Sequence, residues 1–155
     1  MNSKRFLPAA ALLVAAPFAY AAQAGTTQKV TVTMSEMMFM PMKLSFQAGR
    51  KVELTIVDGG RAPHEFQAYD VPKNSPSGEE AWDAYIEKHA WWLGAKDVKL
   101  TVNGKAKAGS FMEVNLKPGE KAVLTFTPTK KGTFEMACHY PGHYESGMKG
   151  AVTVK

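Results

Sequence analysis

A single cysteine in 155 residues excludes a disulfide within the chain, so packing and hydrogen bonding must hold the fold together. The sequence has no His-x-His pair, no internal repeat and no low-complexity tract. Beyond residue 24 it has no apolar run long enough to cross a membrane. It also lacks the charge excess of a nucleic-acid binder. Two of the 19 Lys and Arg, Lys4 and Arg5, lie in the leading segment, and the remaining 17 against 14 acidic residues leave a net charge of +3. That balance argues against a nucleic-acid partner and at most helps to steer acidic ones.

The one long apolar run stands at the start. Lys4 and Arg5 precede the stretch from Phe6 to Ala21, and Ala22-Gln23-Ala24 is a small-x-small cleavage site. Residues 1–24 read as an export signal cut after Ala24. A membrane anchor is the competing reading, but the run is short for a span and Pro8 and Pro17 interrupt it. Residues 25–155 are the size of one domain, expected in the periplasm and as a monomer. In an oxidising compartment a lone thiol is a liability unless something uses it.

Past the signal the pattern is mostly strands. Lys29–Met34, Lys51–Val57, Ser110–Leu116, Lys121–Thr127, Gly132–Ala137 and Ala151–Val154 all alternate with a period of two. Turn signals separate them: Ala48-Gly49, Asp58-Gly59-Gly60, Asn103-Gly104, Pro118-Gly119 and Lys131-Gly132. Short strands between such turns predict an all-β sandwich or barrel. One segment breaks the rhythm. Ser77-Gly78-Glu79-Glu80 is a capping-box pattern, and Trp82, Ile86, His89 and Leu93 recur at helical spacing until Gly94. It predicts a helix over Glu79–Leu93, with His89 packed rather than acting as a ligand.

The chemistry concentrates in Cys138-His139-Tyr140-Pro141-Gly142-His143-Tyr144-Glu145-Ser146-Gly147-Met148, a turn-rich loop between two strands. Cys138 falls in phase with Phe134 and Met136, so its side chain should point inward. A soft thiolate, an imidazole and a thioether on one loop suit copper in both oxidation states. Cys138 would be deprotonated by the metal itself, and His143 would bind as neutral imidazole.

The spacing C-x4-H-x4-M, with Pro-Gly before the histidine and Gly before the methionine, resembles the type 1 copper loop of the cupredoxins. The Cys-x-x-Pro-Gly-His wording is similar to the azurin, auracyanin and rusticyanin branch. Pro63-His64-Glu65-Phe66 resembles the earlier histidine of that family, and Phe39-x-Pro41 with Ala48-Gly49 its opening strands. The resemblance runs from about Val30 to Val154 and weakens between Asp70 and Asp97, where the helix is inserted. It implies a Greek-key β-sandwich with one copper held by His64, Cys138, His143 and, weakly, Met148. A closed site of that kind suits one-electron transfer between Cu(I) and Cu(II). Multicopper oxidases carry His-Cys-His at the cysteine, whereas here the triplet is Ala137-Cys138-His139. Copper nitrite reductases have a histidine before the cysteine and a second cupredoxin domain, and this chain has neither. The chain is therefore read as a copper-binding electron-transfer protein, with oxidation of Cu(I) the one reaction left open.

Two departures from the family carry further expectations. Met34, Met37, Met38, Met40 and Met42 place five methionines in nine residues. Thioethers bind Cu(I) well, so Met38, Met40 and Met42 are candidates for a second copper site, with core or docking residues as the competing reading. Met37, in phase with Phe39, is assigned to that competing reading, a core filler or a docking residue. This combination resembles cupredoxins of bacterial copper tolerance, and the expected partners are Cu(I) or a redox protein. A carrier in a respiratory or photosynthetic chain is the alternative. The second departure is Glu65 and His139, which follow His64 and Cys138 in place of small polar residues. They are expected to meet beside the metal through a carboxylate–imidazole link that raises the pKa of His139; two solvent-facing side chains are the competing expectation.

Overall fold

The structure is a computed structural model and describes residues 25–109 and 112–155. The signal read in residues 1–24 lies outside the described residues. The elements run β1 (Gln28–Ser35), β2 (Met38–Met40), β3 (Lys43–Phe46), β4 (Val52–Asp58), β5 (His64–Asp70), α1 (Glu79–His89), β6 (Lys96–Val102), β7 (Lys105–Lys107), β8 (Val114–Leu116), β9 (Lys121–Thr127), β10 (Gly132–Ala137) and β11 (Lys149–Val154). A short 3-10 turn, Trp91–Gly94, follows the helix. Two mixed sheets form a sandwich, one ordered β2-β1-β4-β9-β6-β7 and the other β3-β11-β10-β5-β8. The first holds a parallel β1–β4 pair and the second a parallel β3–β11 pair.

Alternation in sequence becomes alternation in burial. On β4, Val52, Leu54 and Ile56 are buried, and on β9 Ala122, Leu124 and Phe126 meet them from the neighbouring strand. β10 and β11 contribute Phe134, Met136, Val152 and Val154 from the other sheet. β5 is different, because six of its seven residues are buried. Phe66 turns towards Phe39, while Tyr69 packs on Trp82 and Tyr85 of α1. The helix covers the outer face of β5, so this strand can carry a near-continuous buried run.

The helix is shorter than its apolar spacing predicts. The Ala90 N–H still bonds Ile86 O at 2.8 Å, but Ala90 itself is extended (φ −54°, ψ 126°) and forms an isolated bridge with Tyr69. Pairing with the sheet wins over another helical turn. The capping box does not form either: Gly78 is the N-cap, at φ 88°, and no side chain bonds the first turn. His89 stacks on Tyr85, with centroids 4.0 Å apart, and its Nδ1 lies 2.7 Å from Tyr85 O. Of the strand read over Ser110–Leu116, residues 114–116 are strand, while 110 and 111 lie outside the described residues.

The methionine stretch is not one strand. β2 pairs with β1 in the first sheet, β3 pairs with β11 in the second, and the chain changes sheet at the cis Met40–Pro41 bond. Met37 is not a core residue. It takes φ 58° in the turn between β1 and β2, which sends its side chain outward at 40% exposure. Met34 takes the inward place on β1 instead.

Candidate metal centre

Three adjacent strands of the second sheet bring the sequence-predicted residues together. β10 delivers Cys138, β11 follows Met148, and β5 begins at His64. β10 lies between the other two, paired to β11 from Gly132↔Val154 to Ala137↔Lys149 and to β5 from Phe134↔Asp70 to Ala137↔Gln67. Cys138, at the end of the inward phase, is fully buried, as are His64 and Met148. His143 is half-buried at the surface end of the loop.

The loop is held by its own backbone. His143 N–H donates to Tyr140 O at 2.9 Å, Met148 N–H to His143 O at 3.0 Å, and Cys138 N–H to Met148 O at 3.2 Å. Gly142 at φ 81° and Gly147 at φ 96° make the two left-handed turns this path needs, a conformation glycine adopts without a Cβ clash. The residue before each later donor, His143 and Met148, is thus the glycine that aims it.

Within this frame Cys138 Sγ lies 3.3 Å from His143 Nδ1 and accepts the Glu65 N–H at 3.5 Å. The rings of His64 and His143 stand 5.2 Å apart between centroids. Burial pushes the Cys138 thiol up to about 11, against smaller lowering from the N–H groups of Glu65 and Tyr140. Near neutral pH the metal-free sulfur is therefore a thiol, and a metal must displace its proton. His143 is held below the ordinary imidazole value by burial and then by His64, which keeps it neutral and able to donate a lone pair.

His64 Nδ1 lies 3.0 Å from Asp58 Oδ1, while its Nε2 is buried with no hydrogen-bond partner. A buried imidazole with an unpartnered nitrogen, its ring 5.2 Å from that of His143, fits a donor set for a soft metal ion. As the side chains stand, no group of three or more His, Cys, Asp or Glu residues among the described residues is already drawn in around one metal position.

Glu65 and His139 do meet, by a different link from the one expected. The Glu65 carboxylate accepts the backbone N–H of His139 at 2.5 Å. The His139 ring instead places Nε2 2.8 Å from the Tyr69 hydroxyl and packs against Trp82 and Tyr144. Its pKa is lowered to about 4 by burial, the reverse of the expected rise, because the carboxylate bonds the backbone and not the ring. Glu65 is raised to about 7, again chiefly by burial.

Met38, Met40 and Met42 are exposed at 41%, 59% and 52%. Met38 and Met40 share the outward face of β2, and Met42 lies past the sheet change. Asp58 was legible only as part of a turn signal. Its inward phase on β4, after Val52, Leu54 and Ile56, is the signal that marks it as more. Of the residues that wall in His139, Tyr69 and Tyr144 carried no sequence signal beyond being aromatic, and Trp82 only its place on the apolar stripe of the helix.

Comparison with known proteins finds relatives along the whole chain. The chain is 27% identical to the copper-resistant cuproprotein CopI of Pseudomonas aeruginosa over 180 aligned residues, covering 100% of this chain and 99% of that one. It is 29% identical to CopI of Rubrivivax gelatinosus over 142 residues, covering 90% and 74% of the two chains. Among solved structures, auracyanin A, a blue copper protein of Chloroflexus aurantiacus, superposes with a TM-score of 0.55 at 19% identity, covering 83% of this chain and 99% of that one. This likeness shows a shared sandwich fold. The pattern of the copper-binding plastocyanin/azurin family matches residues 26–155, so the chain belongs to that family of cupredoxins.

Proposed function

We propose that the protein is an exported type 1 copper protein of copper tolerance, with one copper held by His64, Cys138, His143 and Met148. The observation that carries this reading is the 3.3 Å approach of Cys138 Sγ to His143 Nδ1, on a loop closed at its base by the Met148 backbone. Copper bound there would supply one-electron chemistry between Cu(I) and Cu(II). The protein's own part is positional. Cys138 gives up its proton on binding, and the Glu65 N–H stays as a donor to the sulfur. The glycine turns fix His143 and Met148, and full burial of Cys138, His64 and Met148 keeps water from the sulfur. Little change in geometry is then needed when the charge on the site changes.

Copper tolerance is favoured by the two copper-resistant relatives and by the exposed thioethers of Met38, Met40 and Met42, which suit capture of Cu(I) as a substrate. An electron carrier is the second reading, supported by the likeness to the auracyanin fold. Copper stoichiometry and an optical spectrum of the purified protein test the centre. One tightly bound copper and a strong thiolate-to-copper band, both lost in Cys138→Ser, are expected. A protein that purifies without metal and shows no such band after copper addition overturns the reading. Growth of a deletion strain in added copper separates the two roles: loss of growth only under copper supports tolerance, and loss of respiration without copper supports the carrier.

A further inference from the structure

Sulfur is unevenly placed in this fold. Among the described residues the exposed large hydrophobic side chains are Met37, Met38, Met40, Met42 and Val71, so all but one of them are thioethers. An apolar patch built for docking alone has no need of sulfur in nearly every member. The other described methionines lie inside: Met34, Met136 and Met148 are at 0% exposure, and Met112 is partly buried. Local structure accounts for the outward set. β2 is the edge strand of its sheet, and Met38 and Met40 lie opposite Ser35 and Thr33 of β1, side chains too short to cover a thioether. Phe39 between them turns inward, and the left-handed turn sends Met37 out. The segment also borders the proposed metal centre at both ends. Glu36 Oε1 accepts the Arg61 N–H at 2.5 Å, three residues before His64, and Met42 O accepts the Ala151 N–H at 2.9 Å, three residues after Met148.

We propose that Met37, Met38, Met40 and Met42 are an oxidative modification site, a sacrificial thioether surface that consumes hypohalous acid before it reaches Cys138 or Met148. In the step, hypochlorous acid gives its oxygen to a methionine sulfur. The S–O bond forms, the O–Cl bond breaks, the sulfur loses two electrons to the chlorine, and chloride and a proton leave. The product is methionine sulfoxide, which methionine sulfoxide reductases return to methionine. A sulfoxide is polar, so its cost depends on where it forms. At Met34 or Met136 it would put an oxygen into the packed interior, and at Met148 it would alter a proposed ligand. On the outward face of β2 it meets solvent and leaves the core intact. The inference rests on exposure and not on bound copper, and it is a use of these sulfurs separate from Cu(I) capture.

Titration of the Cu(II)-loaded protein with hypochlorous acid, followed by peptide mass spectrometry, tests the order of attack. One added oxygen each on Met37, Met38, Met40 and Met42 is expected over the first equivalents, with Met112 later and Met34, Met136, Met148 and Cys138 last. Oxidation of Cys138 or Met148 in step with the four overturns the proposal. The second arm replaces Met37, Met38, Met40 and Met42 together with Leu, which removes sulfur at exposed positions and keeps their apolar character. In that variant the thiolate-to-copper band should begin to fade about four equivalents of oxidant earlier than in the parent, one for each sulfur removed. Fading at the same dose also overturns the proposal. Oxidation of Cys138 in the variant is read by mass as well, so the outcome holds even if the parent shows no band. Failure of the copper reading then appears in the spectrum, and failure of this one in the order of oxygen uptake.

Discussion

The indole of Trp82 lies against the imidazole of His139, with ring centroids 4.1 Å apart and 31° between the planes. His139 follows Cys138, so a helix outside the sandwich touches the chain where the thiol leaves its strand. Tyr144 closes the group, 4.6 Å from His139 and 5.3 Å from Trp82. Three rings and the Tyr69 hydroxyl thus hold the start of the copper loop from the helix side.

Trp82→Ala should therefore be costly although the residue lies outside the sheets. Trp82 is 7% exposed, and truncating a buried Trp typically removes about 3–5 kcal/mol. Urea unfolding of the metal-free variant should show a clearly lower midpoint than the parent. An unchanged midpoint would mean that α1 adds nothing to the stability of the domain.

Stability against pH should expose two opposed groups. Glu65 is raised in the folded protein from 4.5 to about 7, so its contribution is full below 4.5 and is lost as pH rises towards 7. His139 is lowered from 6.5 to about 4, so its contribution is full above 6.5 and is lost as pH falls towards 4. Between 4.5 and 6.5 the two slopes oppose each other in the metal-free parent. In Glu65→Gln only the His139 slope remains, and stability should rise with pH through that window. Denaturant midpoints across the window decide it, and a variant that parallels the parent refutes the assignment.

Gly150→Ala should loosen the closing strand. A Cβ at Gly150 would stand 2.4 Å from the backbone oxygen of Met42 and 2.5 Å from Met136 Cε. The methionine methyl can move, but the Met42 backbone is tied to Ala151 N–H at 2.9 Å. Overpacking of this kind costs about 1–3 kcal/mol. A thermal midpoint equal to the parent's would show that β3 and β11 part freely.

Replacing Met38, Met40 and Met42 together with Leu should leave the thiolate-to-copper band in place and reduce the Cu(I) held in competition with a Cu(I) chelator. Their exposure means that the change removes thioethers without emptying the core. Equal Cu(I) retention in parent and variant would assign the three residues to docking or to plain surface.

Much of this was legible because it is periodic. Phe134, Met136 and Cys138 share one phase, and that phase alone aims the thiol inward. The order of Cys138, His143 and Met148 on one loop carried the chemistry. What could not be read was anything decided by contacts across the sheets. Met37 followed the strand period in sequence, yet a turn with φ 58° put it outside. Glu65 and His139 were expected to pair by their side chains. Their meeting was legible from the ligands they follow, but the choice of the backbone N–H depended on Tyr69, 70 residues before His139, taking the ring. Asp58 looked like any turn aspartate until His64 came to rest on it.

The six matched pairs between β10 and β11 limit where the chain can change length. One residue inserted in β10 would exchange its two faces, turn Cys138 towards solvent and bring Ala137 or its new neighbour inward. The segment between Asp70 and Lys96 is under no such restriction. It leaves β5 and returns at β6, in the other sheet, with only the Tyr69–Ala90 bridge binding it to a register. Lengthening is therefore cheap there and ruinous twenty-odd ångströms of chain before the cysteine, a span of about seven residues at strand rise. Variation in loop length among proteins of this build should gather on the helix side of the metal and stay away from the strand that carries the thiol.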